Sequence, residues 1–361
     1  MQKRINHADE KNGNLRKNSL RTSFEKTEKK KKVERDSSVF NKSIKIQMKL
    51  SLYLLSISLF FNCLVHALCS DMTQLNKRSL ELSCSSNSVT FASLGDWGIK
   101  VPTAVSNAIT MALQSRSSNL DFIYAAGDNF YSRGVNSIYD PLWNSTWFSR
   151  YSIGEKLNVP WIAALGNHDY YGNSNAQIDY TSSTCLGASY WWMPATYYGL
   201  HITSGTGKSA DLFITDTEVV TDTQKEWLRT SLQKSTSQIK IVLGHSHVYS
   251  NGYRGDGSGA TALNTCFKAG RVLAYISGHE HDLQYLSYDN IDYFVVGGSG
   301  ASLRPGKNTT QARVHLYQQR HGFALHTLNL QLQSMTTCFH MYTITGNYDG
   351  EHCFNSTASE S

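Results

Sequence analysis

Five times in this chain a short apolar run ends in a glycine, and the next residue can bind a metal or a proton. The run 89–94 (VTFASL) leads into Gly95-Asp96, and 122–126 (FIYAA) into Gly127-Asp128. The run 161–165 (WIAAL) leads into Gly166-Asn167, 239–243 (IKIVL) into Gly244-His245, and 272–277 (VLAYIS) into Gly278-His279. Apolar runs of this length bounded by glycine predict buried strands. Glycine lets the backbone turn sharply, so the next side chain stands over the sheet edge. Open α/β sheets collect their ligands at that edge. The pattern predicts one polar cluster of Asp96, Asp128, Asn167, His245 and His279, with Tyr131 and His281 close by.

Helical patterns at 102–115 and 223–232 lie between the runs, the second with Asp222 as N-cap. Strands alternating with helices predict an α/β fold. Later segments at 293–296, 323–328 and 336–345 read as strands, so a second, partly antiparallel sheet is expected. One domain over 86–346, followed by a polar tail at 347–361, is the expected organisation.

The net charge of +6 is unevenly placed. Residues 1–49 hold 15 Lys+Arg and 6 Asp+Glu, 50–67 hold neither, and 68–361 hold 19 and 22. Residues 1–47 are polar and basic, and cannot bury a core. They read as a disordered leader or a gene-model artefact upstream of Met48. No folded module or aromatic interleaving accompanies them, so no nucleic-acid partner is expected. Residues 48–67 have the layout of a secretory signal: Lys49, an apolar stretch, then Val65-His66-Ala67 at a cleavage position. Left uncut, the segment would serve as a signal anchor and give the only membrane attachment. Both versions predict a body that is secreted, or lumenal in the secretory or lysosomal pathway. Six cysteines remain beyond residue 67, and disulfides fit that compartment. Cys338 and Cys353 flank a strand-like stretch and are expected to close a local loop. Asn144, Asn308 and Asn355 head glycosylation acceptor triplets.

Taken singly, each candidate ligand has a plainer reading. Asp96 could cap a helix, Asp128-Asn129 could form a turn, and 166–169 could be a polar loop. A lone buried histidine is usually satisfied in the core. Gly278-His279-Glu280-His281 resists that reading, because histidines at i and i+2 of an extended segment face the same side. Gly244-His245-Ser246-His247 repeats the arrangement. All five blocks stand at strand ends in one order, which favours metal binding.

The blocks GDWG (95–98), GDNFY (127–131), GNHD (166–169), VLGH (242–245) and GHEH (278–281) resemble the ligand blocks of the purple acid phosphatases, most of all the small tartrate-resistant group. The resemblance covers about 88–300. It implies the metallophosphoesterase four-layer sandwich, α/β, with two mixed sheets flanked by helices. It also implies a dinuclear metal centre, with Asp96, Tyr131 and His281 on one metal and Asn167, His245 and His279 on the other. Asp128 would bridge them. Phenolate, carboxylate and imidazole suit Fe(III), and two imidazoles with an amide oxygen suit a divalent Fe, Zn or Mn. Protein-phosphatase relatives carry Asp-x-His in the first block, whereas this chain has Asp96-Trp97-Gly98 and supplies Tyr131 instead. The implied activity is hydrolysis of phosphate monoesters by a metal-bound hydroxide, fastest below neutral pH. His168 is the expected proton donor to the leaving group, and Asp169 is expected behind the ligands. His247 stands where the mammalian pattern has Pro, and Arg254 where it has His; both are candidate substrate contacts. The stretch 216–224 is short where mammalian relatives carry an inhibitory loop, so activity without proteolytic activation is expected, from a monomer.

Two other functions compete. One is a non-catalytic scaffold or membrane-complex protein on the same fold, as in apicomplexan relatives that anchor motility complexes. The other is a nucleotide phosphodiesterase. Intact ligand positions and a polar C-terminus weigh against the scaffold.

Overall fold

A computed structural model of the chain describes residues 69–100 and 103–358. The expected leader (1–47) and signal segment (48–67) lie outside the described residues. In chain order the strands are β1 (Cys69–Asn76), β2 (Ser79–Cys84), β3 (Ser88–Leu94), β4 (Phe122–Ala126), β5 (Trp161–Ala164), β6 (Trp191–Trp192), β7 (Tyr198–Ser204) and β8 (Ser209–Ile214). They continue with β9 (Ile239–Leu243), β10 (Ala274–Ser277), β11 (Leu283–Tyr288), β12 (Ile291–Val295), β13 (Arg313–Gln318), β14 (His321–Asn329), β15 (Ser334–Tyr342) and β16 (Tyr348–Thr357). The main helices are α1 (Ala104–Gln114), α2 (Ser174–Thr181), α3 (Asp222–Lys234) and α4 (Asn264–Ala269).

Two mixed sheets form, as expected of the α/β class. One runs β16-β15-β14-β3-β4-β5-β6 and the other β1-β2-β7-β8-β9-β10-β12-β11-β13. Strands β3, β4 and β5 are parallel neighbours in the first sheet, and β8, β9, β10 and β12 in the second. Every residue of β4, β5 and β10 is buried. Parallel strands covered on both faces read as continuous apolar runs, which is why they were visible in the sequence. Antiparallel pairs β3–β14, β14–β15 and β15–β16 extend the first sheet outward.

Three details differ from expectation. Within the expected polar tail, Tyr348–Thr357 is strand β16, paired along its length with β15. Most of its side chains are exposed, as on an edge strand, so it has no apolar face to betray it. The body also begins before residue 86, since β1 and β2 belong to the second sheet. Finally, Thr221 rather than Asp222 caps α3. Its backbone is extended and its hydroxyl accepts from Gln224 N, while Asp222 sits in the first turn, where its charge suits the helix dipole.

Cys338 and Cys353 face each other across β15 and β16 and form a disulfide. Cys84 is also disulfide-bonded, whereas Cys185 and Cys266 are free. Asn144, Asn308 and Asn355 are exposed. Among the described residues no helix is long and apolar enough to cross a membrane.

Candidate metal centre

The C-terminal ends of β3, β4 and β5 meet those of β9 and β10 where the two sheets converge. The sheets touch through glycine. A Cβ on Gly95 would lie 2.9 Å from Gly278 Cα, and one on Gly127 would strike the His245 ring at 2.5 Å. The glycines that mark the strand ends in sequence thus allow this approach. The residues after them are bent hard: Asp96 (φ 56°), Asp128 (φ 51°) and His279 (φ 69°) all adopt left-handed backbone. Such conformations cost on the order of 1–3 kcal/mol each and persist only where the surroundings impose them. Here the surroundings do so: Asp96 N donates to Gly127 O at 3.2 Å, and His279 N donates to Asp96 Oδ2 at 2.7 Å.

The side chains form two groups that share Asp128. In one, the Tyr131 hydroxyl donates to Asp128 Oδ2 (2.7 Å) and Asp96 Oδ1 (3.0 Å), and His281 Nε2 lies 3.2 Å from Asp96 Oδ1. In the other, His245 Nε2 lies 3.6 Å from Asp128 Oδ1, 3.3 Å from Asn167 Oδ1 and 3.2 Å from His279 Nδ1. Both outer imidazoles are oriented from behind. His245 Nδ1 donates to Ala126 O and His281 Nδ1 to Ser302 O, each at 2.8 Å, which turns Nε2 toward the cluster. Ligand atoms of Asp96, Asp128 and His245 all lie within 4.8 Å of one another.

Electrostatics and spacing both fit cations. Burial works against ionising Asp96, but His281, then His245 and His279, outweigh it and hold the carboxyl well below its usual range. Burial raises Asp128 despite the pull of His245. Burial and then Asp96 and Asp128 push Tyr131 well above the ordinary phenol, so without a cation it remains a hydrogen-bond donor. His245 is lowered by burial but raised more by Asp128 and Asp96, to about 9. His279, desolvated and beside His245, is lowered to about 2. The anions of Asp128 and Tyr131 are thus disfavoured in the metal-free group, and multivalent cations would favour both. Metals bound at about 2.0–2.3 Å hold adjacent donors on the order of 3 Å apart, the spacing seen here.

The remaining expected residues lie around this core. His168 N donates to Asp128 Oδ1 at 2.8 Å, and the ring sits beside Tyr131, with centroids 4.5 Å apart. Its Nδ1 meets Ser132 O at 2.7 Å, while Nε2 lies 3.9 Å from Asp128 Oδ2. Asp169 is fully buried and accepts from Gly166 N, Asn129 N, Phe130 N and Gln177 Nε2. It braces the Asn167 loop to the Asp128 loop, and burial followed by Asp128 pushes its carboxyl up to about 7. His247 is 1% exposed, and its ring lies 5.7 Å from that of His279. Its Nε2 donates to Gly255 O at 2.8 Å, and burial lowers it to about 4. Arg254 Nη1 donates to His279 O at 3.1 Å, which ties the guanidinium to the ligand loop.

Three supporting residues were missed in the sequence. Asn129 accepts from Trp97 Nε1 and donates to Ala164 O and Gln177 Oε1, fastening three loops together. Gln177 stands on α2, whose weak amphipathic pattern gave no signal. Glu280 accepts from Tyr253 N and Arg254 N and pins the loop that carries Arg254. Its place between two candidate ligand histidines was the available clue.

Comparison with known proteins agrees with this geometry. The family model for calcineurin-like phosphoesterases matches residues 89–283, more than half of the chain. Tartrate-resistant acid phosphatase type 5 of Homo sapiens is 31% identical over 246 residues, which are 60% of this chain and 74% of that protein. Purple acid phosphatase 3 of Arabidopsis thaliana is 28% identical over 258 residues, covering 64% and 68%. Among solved structures, GAP50, the anchor in the inner membrane complex of Plasmodium, aligns with TM-score 0.64 and 25% identity, over 75% of this chain and 89% of that one. Purple acid phosphatase PPD1 from yellow lupin seeds aligns with TM-score 0.55 and 17% identity over 76% and 56%, a likeness of fold.

Proposed function

The chain belongs to the calcineurin-like phosphoesterase family, in its purple acid phosphatase branch, and from that premise we propose that it is an acid phosphatase that hydrolyses phosphate monoesters. The observation that carries this reading is the double use of Asp128: one carboxylate oxygen faces Tyr131, the other His245. In this reading Asp96, Tyr131 and His281 would hold Fe(III), and Asn167, His245 and His279 would hold a divalent Fe, Zn or Mn, with Asp128 available to both. When bound, such a pair would supply Lewis acidity toward a phosphate and lower the pKa of water, so that a nucleophile is available near neutral pH.

The protein's own part is positioning and proton delivery. A carbonyl can only accept, so the contact with Ser132 O fixes a proton on His168 Nδ1. Nε2 is then the atom that hands a proton to the departing oxygen, once the ring is charged. The main-chain bond from His168 to Asp128 Oδ1 holds that donor beside the cluster. Asp169 keeps the two loops from separating. Arg254, anchored on His279 O, adds positive charge beside the site. The signal-like segment 48–67 fits a secreted or lumenal enzyme.

A second reading, a non-catalytic scaffold, is favoured by the likeness to GAP50. Metal analysis with assays of an aryl monoester and an aryl diester from pH 4 to 8 separates the readings. Two metals per chain with monoester turnover fastest on the acid side supports the proposal. A metal-poor, inactive protein supports the scaffold, and preference for the diester supports a phosphodiesterase.

A further inference from the structure

Beside the cluster lies a cleft of about 510 Å³, lined in part by Lys100, Tyr131, Ser132, Arg133, Asp140 and Tyr171. Tyr131 is a wall common to both, since its hydroxyl reaches Asp96 and Asp128. The His168 ring stands at the junction. It packs on Tyr131 and, with centroids 5.3 Å apart, on Tyr171, and it bonds to the Ser132 carbonyl. A phosphate ester held at Asp128 with its departing oxygen toward His168 Nε2 would extend the rest of its alcohol into this cleft.

The cleft has an uneven charge. Lys100 and Arg133 are exposed, and neither has an ion-pair partner among the described residues. Asp140 is the one acid among the lining residues, and its carboxylate is occupied. Oδ2 accepts from Asn136 N and Nδ2, and Oδ1 accepts from Leu142 N. These bonds hold it in place and leave its charge intact; it forms no ion pair with either cation among the described residues, and the two cations outnumber it in the lining. Tyr171 adds an aromatic face, 58% exposed. Unpaired cations beside an open ring suit a planar group that bears its own negative charge.

We propose that this cleft is a leaving-group subsite, and that Arg133 and Lys100 select phosphate monoesters whose alcohol carries a second anionic group. The inference rests on the monoesterase reading for its orientation, but the charge and shape of the cleft stand without it.

Two substrates differing by one charge test it. The ratio of kcat/KM for 3-carboxyphenyl phosphate over phenyl phosphate is expected at about five- to tenfold, as for one partly exposed charge contact. In the double variant Arg133→Gln, Lys100→Gln the ratio is expected to fall to near one, and 0.5 M salt should lower it in the wild type. A wild-type ratio of one, or a ratio the double variant leaves unchanged, overturns the subsite. The non-hydrolysable 3-carboxyphenylphosphonate and phenylphosphonate give a second readout by titration calorimetry, with the same preference expected in Kd. A protein that turns over neither ester but retains the Kd preference refutes the phosphatase reading and keeps the subsite. Turnover without either preference refutes the subsite alone.

Discussion

The Tyr131 hydroxyl donates a 2.7 Å hydrogen bond to Asp128 Oδ2. Its proton is the one a metal must displace to take a phenolate ligand. Loading with iron should therefore release protons and produce a visible tyrosinate charge-transfer band. Tyr131→Phe keeps the ring against His168 and should remain folded, yet its iron-loaded form should be colourless. An absorption band that survives in the Phe variant would assign the colour elsewhere.

Asp128 holds the two halves of the cluster together, and burial disfavours its charge. Asp128→Asn should lower kcat by at least ~1000-fold, since metal-assisted chemistry is worth several kcal/mol. Steady-state kinetics with metal analysis measures the effect. A variant that keeps two metals and full turnover would remove Asp128 from the centre.

If His168 delivers the proton, its value depends on the alcohol. His168→Gln should slow hydrolysis of an alkyl phosphate by about 100-fold or more. A 4-nitrophenyl ester, whose phenolate leaves without help, should lose much less. Equal losses on both esters would point to a role in holding the Asp128 loop.

Acid stability should be limited away from the centre. His326 is buried, between Ser93 Oγ (2.7 Å) on Nε2 and Thr337 Oγ1 (2.9 Å) on Nδ1, and burial lowers it to about 3. Below pH 6.5 the unfolded chain takes up a proton at this residue that the folded chain refuses, so stability falls as pH falls from 6.5 toward 3. By pH 5 the loss amounts to about 2 kcal/mol. His326→Gln should flatten that slope between pH 7 and 5, whatever its effect at pH 7. An unchanged slope would place the acid sensitivity in other groups.

The strands that carry the cluster were legible because parallel strands covered on both faces show unbroken apolar runs, and the glycine after each was visible as a turn. The glycine contacts between sheets were not. Nothing in Gly95 or Gly278 announces that they meet, since that depends on how two sheets lie together. Asp169 was readable as a residue behind the ligands, but its partner Gln177 sits on a helix with little pattern. Edge strand β16 escaped because its outward residues are polar and its inward ones few. The cleft beside Tyr131 is likewise built from segments far apart in sequence, Lys100, Arg133 and Tyr171, each of which alone reads as an ordinary exposed residue.

Asp96, Asp128 and His279 occupy backbone conformations that a side-chain-free residue would adopt more readily. Replacing any of them by glycine would ease the local chain even as it removed a candidate metal donor. For this architecture, loss of chemistry is therefore a downhill step in conformational terms. A descendant released from selection for hydrolysis could keep its two sheets, relax its strand ends and become a more durable body for others to bind. All three constrained side chains are present in this chain.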